Sequence, residues 1–155
     1  MDTVSPSVRS AIMSKVRSKG NRSTERRLRA ILAGAGVSGW RTNARDITGT
    51  PDVAFEKKRL AIFVDGCFWH GCPKCYRRPK SKRKFWDAKV AENRARDRRV
   101  TRKLKKAGWG VVRLFECEVK INRQDLLDRI RKRPTNARFT SRSAPKVRRD
   151  VGQTK

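Results

Sequence analysis

Acidic residues are scarce in this sequence: 14 Asp and Glu stand against 42 Lys and Arg in 155 residues, a formal net charge of +28. A chain so lopsided repels itself when compact, which argues against an ordinary mixed-sign surface and for a polyanionic partner, nucleic acid ahead of an anionic membrane surface. Long apolar runs are also missing. None approaches the roughly 20 residues that cross a bilayer, so no membrane partner is expected. The opening residues MDTVSPSVRSAIMSKVRSK lack the apolar centre of a secretory signal, and a cytoplasmic protein is expected. Histidine occurs once. What is present is 36% apolar residues, among them four Trp and six Phe. That is enough to build one domain with a real core, and too aromatic for a chain that is disordered throughout.

A basic tail is expected over residues 131–155, where nine Lys and Arg accompany one Asp, two prolines and almost no apolar periodicity. Most of the positive charge therefore belongs to a single domain over residues 1–130. Ser5-Pro6 starts a short basic helix over 5–18, which Gly20-Asn21 breaks. Ser23 or Thr24 is expected to cap a second helix whose Leu28, Ile31, Leu32 and Ala35 share one face. Trp40 to Thr42 reads as a short strand, and Pro51–Phe55 with Arg59–Asp65 as a β-hairpin around Glu56 to Lys58. A loop rich in Cys, Gly and Pro follows, then a long helix from Arg83 to Lys106, a buried strand Trp109–Phe115 and a helix near Gln124–Arg131. The fold class is α/β, a central mixed sheet flanked by helices.

A hairpin turn of two or four residues sets Asp52 across from Phe63 and leaves Asp65 on the same face. Two carboxylates so placed can grip a hard cation such as Mg²⁺, which takes its remaining ligands from water and phosphate. An odd turn would flip one of them away, and pairing to the many arginines is the competing role. His70, the sole histidine, follows Asp65 by five residues and can take a proton from water near neutral pH. Cys72-Pro73-Lys74-Cys75 has the spacing of half a zinc site, to which Cys117 can add a third thiolate. In the long helix Trp86, Val90, Asn93, Asp97, Val100, Leu104 and Ala107 recur at steps of four and three, so Asp97 lies on an apolar stripe. A carboxylate there needs an arginine or a metal. Zinc bound by Cys72, Cys75, Cys117 and Asp97 is the leading expectation; Cys67 or His70 as fourth ligand stays open. Phe68, Trp69 and Trp86 beside basic residues suit base stacking, though packing around the loop competes.

Gly49-Thr50-Pro51-Asp52, the run Phe63-Val64-Asp65-Gly66-Cys67-Phe68-Trp69-His70-Gly71-Cys72, the segment Arg96-Asp97-Arg98-Arg99, and Gly108-Trp109 leading to Phe115-Glu116-Cys117 together resemble the bacterial very-short-patch mismatch repair endonucleases. The resemblance runs from about Val8 to Ile130. It implies a restriction-endonuclease-like fold with a structural Zn²⁺, and Mg²⁺-dependent nicking of duplex DNA on the 5′ side of the thymine in T·G mismatches left by deamination of 5-methylcytosine. It implies that Asp52 and the backbone carbonyl of Val64 hold Mg²⁺, that His70 activates water, and that Glu25 stands near that water. It assigns zinc to Asp97, Cys72, Cys75 and Cys117. Phe68, Trp69 and Trp86 match aromatics that stack beside the mismatch, and Met13 matches a minor-groove wedge; Lys89 joins them as a candidate DNA contact. Asp65 stands where some members carry a second active-site His, which favours a ligand or hydrogen-bonding role for it. Gly71-Cys72-Pro73-Lys74-Cys75 replaces a His-rich segment, exchanging one imidazole ligand for a thiolate. A nucleoid-associated monomer is expected, with mismatch-repair proteins as partners. The alternative is a zinc-stabilised nucleic-acid-binding protein without catalysis.

Overall fold

The computed structural model describes Ser5, Val8, residues 22–121 and residues 123–132. The expected helix over 5–18, Met13 included, and the tail beyond 132 lie outside the described residues, apart from Ser5 and Val8. Helix α1, Arg22–Gly34, is already running at Arg22. Thr24 is therefore inside it rather than capping it, and its hydroxyl is buried without a hydrogen-bond partner. Leu28, Ile31 and Leu32 form the buried face. The helix ends in a Schellman turn: Val37 N–H bonds the Leu32 carbonyl, Gly36 N–H bonds that of Ala33, and Gly36 takes the left-handed φ of 67° that the motif requires.

Strand β1 (Arg41–Thr42) pairs antiparallel with β2 (Val53–Phe55), and β2 with β3 (Leu60–Asp65). Residues 56–59 make a four-residue turn closed by the Arg59 N–H on the Glu56 carbonyl. The register Val53↔Ile62, carried one step further, sets Asp52 across from Phe63. Helix α2 (Arg83–Lys106) then crosses over to β4 (Gly110–Phe115), which runs parallel to β3 in the register Phe63↔Arg113. The four-stranded mixed sheet has the order β1-β2-β3-β4. Helices α3 (Glu116–Ile121) and α4 (Arg123–Arg131) follow. The sequence pattern anticipates α4 but not α3, whose six residues are too few to show a helical period.

Strand alternation splits the sheet into two faces. Val53, Phe55, Leu60, Ile62, Val112 and Leu114 pack with Leu28, Ile31 and Leu32 of α1 and with Val119, Leu126, Leu127 and Ile130 of α3 and α4. Ala54, Ala61, Phe63 and Val111 pack with Leu104 and Val100 of α2. Asp52, Asp65 and Arg113 fall on this second face by register. The Gly49 loop presses on α2 so closely that a Cβ there would sit 2.4 Å from Val100 Cγ1, and Gly49 has a φ of +83°. None of the described helices is long and apolar enough to cross a membrane.

Candidate active site and metal centre

Asp52 enters β2 with its carboxylate accepting the Val64 N–H at 2.7 Å. Burial, aided by the negative charges of Glu25 and Asp65, outweighs the Val64 hydrogen bond and the charge of Arg113 and pushes this carboxyl up to about 6. Glu25, in the first turn of α1, thus reaches the Asp52 environment from the opposite layer. Val64 N–H is engaged by Asp52, and in an extended strand a residue's carbonyl points to the same edge as its N–H.

The loop after β3 is anchored on α2. Asn93 Nδ2 donates to the Trp69 carbonyl at 2.8 Å, Arg94 Nε to the His70 carbonyl at 3.0 Å, and Arg94 Nη2 to the Gly71 carbonyl. Gly71 has a φ of +60°, and a Cβ on it would meet Val90 Cγ1 at 2.7 Å, so the loop can lie this close only with glycine.

His70 is 8% exposed. Its Nδ1 lies 2.5 Å from Asp97 Oδ2 and 3.8 Å from Asp65 Oδ1. Burial pushes the Asp97 carboxyl up, but the His70 hydrogen bond and the charge of Arg113 outweigh it and hold Asp97 below its usual range. An ionised carboxylate only accepts. His70 therefore donates from Nδ1, and Nε2 remains the nitrogen that can accept a proton. Arg113 closes a fork on Asp65, with Nε at 2.7 Å and Nη2 at 2.6 Å, and Nη2 also lies 2.8 Å from Asp97 Oδ1. Asp65, His70 and Asp97 bring ligand atoms within 4.8 Å of one another, and Asp52 stands outside that group.

The expected zinc set and the thiol group of the structure differ at one residue. The Asp97 carboxylate is spent on His70 and Arg113, and the fourth residue beside Cys72, Cys75 and Cys117 is Cys67. The stripe argument required a compensating partner for Asp97, and the side chains that meet its carboxylate are those of His70 and Arg113. All four thiols are free of disulfides, and their sulfurs lie within 4.8 Å of one another, Cys72 and Cys117 at 3.6 Å. Four thiolates at about 2.3 Å from a tetrahedral zinc would sit about 3.8 Å apart, so this group fits such an ion. Burial raises Cys72, but the amide groups of Lys74 and Cys75 outweigh it and bring the thiol to about 7; burial pushes Cys67 and Cys117 up to about 11. The cluster can hold a metal ion.

Phe68, Trp69 and Trp86 come together as one partly exposed aromatic patch, with ring centroids 5.1 to 6.0 Å apart. Phe85, 58% exposed, extends it. Lys89, one turn on in α2, has its ammonium 2.9 Å from Glu92. Beside His70, Asp97 and Arg113 opens a cavity of about 790 Å³ whose other side is lined by Arg98, Arg102 and Lys105. Arg94 and Arg113 escaped the sequence reading, and Asn93 was placed on the inward stripe of the helix without a role. A visible signal existed for one of them: Arg113 interrupts the apolar strand GVVRLF at a position whose alternate neighbours Val111 and Phe115 share its face.

The family profile described as DNA mismatch endonuclease Vsr matches residues 1–77. The chain is 41% identical over 120 residues to the type II nicking enzyme V.XorIIP of Xanthomonas oryzae pv. oryzae, covering 76% of this chain and 86% of that relative. It is 37% identical over 133 residues to the type II nicking enzyme V.NmeDIP of Neisseria meningitidis serogroup C, covering 84% and 88%. With the DNA mismatch endonuclease Vsr of Escherichia coli it shares 36% identity over 106 residues, 67% of this chain and 66% of that one.

Proposed function

This chain belongs to the Vsr family of DNA mismatch endonucleases, and from that premise we propose that it nicks duplex DNA on the 5′ side of the thymine in a T·G mismatch, with Mg²⁺ as catalytic ion. Membership places it among DNA endonucleases; the mismatch, the ion and the residue roles are the proposal. The observation that carries it is the pairing of two unlike carboxylate environments, Asp52 on one sheet face and Asp97 on the helix packed over that face. Asp97 is compensated and serves His70, whereas Asp52 is half-buried, pushed up to about 6 and ringed by Glu25 and Asp65. A carboxylate so placed gains from a cation, and Asp52 with the Val64 carbonyl would hold it. Bound there, Mg²⁺ supplies charge stabilisation for the phosphate under attack. His70, steadied by Asp97, takes the proton of the attacking water at Nε2, and Glu25 orders that water. The mixed sheet flanked by helices supports a restriction-endonuclease-like fold, and Cys67, Cys72, Cys75 and Cys117 hold a structural zinc. Phe68, Trp69 and Trp86 stack beside the mismatch, where unstacking is cheapest, while Met13 and Lys89 contact the duplex. The enzyme works as a monomer on DNA in the cytoplasm, alongside mismatch-repair proteins.

The test is incubation with a T·G duplex and its T·A control, with Mg²⁺ or with chelator. A single nick 5′ to the mismatched thymine, dependent on Mg²⁺ and lost in both Asp52→Ala and His70→Ala while duplex binding persists, is expected. Binding without any cut would replace the proposal with a zinc-stabilised binding protein.

A further inference from the structure

Resting on that reading and going beyond it, one residue of the buried network has a task that the cleavage chemistry alone does not assign. Asp65 and Asp97 face the same imidazole nitrogen, at 3.8 and 2.5 Å. Both side chains are nearly out of water, 10% and 14% exposed. Two anions this close repel each other and compete for one N–H. Arg113 separates them. Its Nε and Nη2 engage both oxygens of Asp65, and Nη2 also reaches Asp97 Oδ1, which leaves Asp97 Oδ2 for His70. The guanidinium is itself held, lying 4.7 Å from the Phe63 ring centroid, while the Arg113 carbonyl accepts from Arg129 Nη2 at 2.8 Å. The parallel register sets Arg113 beside Phe63 and two residues short of Asp65's partner Phe115, so the fork reaches Asp65 along the diagonal of the same face.

We propose that Arg113 is a positioning residue for the nicking reaction: by occupying both oxygens of Asp65 it leaves Asp97 alone to hold His70, and so keeps the imidazole in the Nδ1–H tautomer with Nε2 as the acceptor. Arg113 acts through Asp97 and does not itself serve as acid or base. Only a planar fork meets two carboxylates in this way, because a lysine ammonium brings the charge without the geometry.

The test uses Arg113→Lys, Arg113→Met and the double variant Asp65→Asn/Arg113→Met, each first checked for a cooperative thermal transition. In steady-state nicking of a T·G duplex, both single variants are expected to lose about 30-fold in kcat with KM changed less than about 3-fold. The double variant, which has no second carboxylate competing for His70, regains about tenfold of that loss. A second readout needs neither DNA nor cleavage. His70 is the chain's only histidine, so long-range ¹H–¹⁵N spectra report its tautomer directly: a single Nδ1–H form in the parent and a mixture in Arg113→Met. Full activity in Arg113→Lys would reduce Arg113 to a bulk charge and overturn the proposal. A raised KM at unchanged kcat would make it a DNA contact, and an unaltered His70 spectrum in Arg113→Met would remove the sorting role. If Arg113→Met does not fold, Arg113→Lys and the double variant carry both readouts. A parent protein that cuts no mismatch duplex would overturn the proposed function, while the tautomer spectra would still decide what Arg113 does to His70.

Discussion

Two clusters are cut from the same loop and differ in how their charge is closed. Asp65, His70 and Asp97 are completed inside the protein by Arg113, whose fork touches both carboxylates. Cys67, Cys72, Cys75 and Cys117 are gathered against one another: burial pushes Cys67 and Cys117 up to about 11, while Cys72 falls to about 7. The first cluster is a hydrogen-bonded unit that can hold a side chain still. The second can do the same only when an ion binds its sulfurs. Interleaving them, with His70 between Cys67 and Cys72, ties the orientation of a reactive imidazole to the closure of a metal centre.

The sharpest way to break this comparison is to empty the cysteine cluster. Structural zinc sites contribute on the order of 10 kcal/mol to folding. We expect one zinc per purified chain, and loss of the cooperative thermal transition on strong chelation or in Cys72→Ser. Metal analysis that finds no zinc in a protein with an intact transition would dissolve the contrast between the two clusters.

Next in size is Asp97→Ala, which leaves Arg113 and His70 without a shared partner. Breaking such a buried pair costs about 3 kcal/mol, and denaturant unfolding should show it. Zinc content should stay at one per chain; a parallel loss of zinc would restore Asp97 to the metal centre.

Asp52 sharpens the comparison because it resembles Cys67 and Cys117, a half-buried acid that desolvation pushes up and that Arg113 only partly offsets. Its folded-state pKa, about 6, lies above the ordinary carboxyl value. Folding therefore favours its protonated form, and its contribution is fully present below about pH 4 and lost as pH rises through about 6. Asp52→Asn should stabilise the metal-free site by about 2 kcal/mol at pH 8 and by little at pH 4, while abolishing nicking. Equal stability of the two proteins at pH 8 would mean that Asp52 is compensated after all.

The smallest effect concerns the aromatic patch, which belongs to neither cluster. Trp69→Ala with Trp86→Ala should lower the ratio of T·G to T·A cleavage about tenfold, as loss of about 1.4 kcal/mol of stacking implies, with nonspecific binding at the same salt little changed. An unchanged ratio in the folded double variant would assign mismatch selection elsewhere.

Much of this was legible before any coordinates. The hairpin was legible, but the pattern put its turn at Glu56 to Lys58 and left the shared face of Asp52 and Asp65 conditional on an even count; the structure supplies the fourth turn residue, Arg59. The period of α2 places Asp97 inward. The CxxC signal with Cys117 marks the thiol cluster. The fourth thiol was not decided, because helical periodicity says that Asp97 faces inward and not what it meets there. Glu25 near Asp52 was likewise illegible from spacing, since it reaches across from the other layer.

By itself, then, the sequence determined those elements whose information is local: strand and helix periods, a hairpin whose register depends on turn length, a polyanion-seeking charge of +28 and the residue types for two clusters. Only the tertiary structure decided how those residues were shared between the clusters. The parallel pairing of β3 with β4 joins residues 48 positions apart, Asp65 with Arg113, and the same guanidinium meets Asp97, whose other oxygen lies against His70. Local pattern cannot supply such a choice, because the same inward carboxylate is satisfied equally by a metal or by a guanidinium, and which of them arrives depends on strand order and crossover rather than on neighbours in the chain.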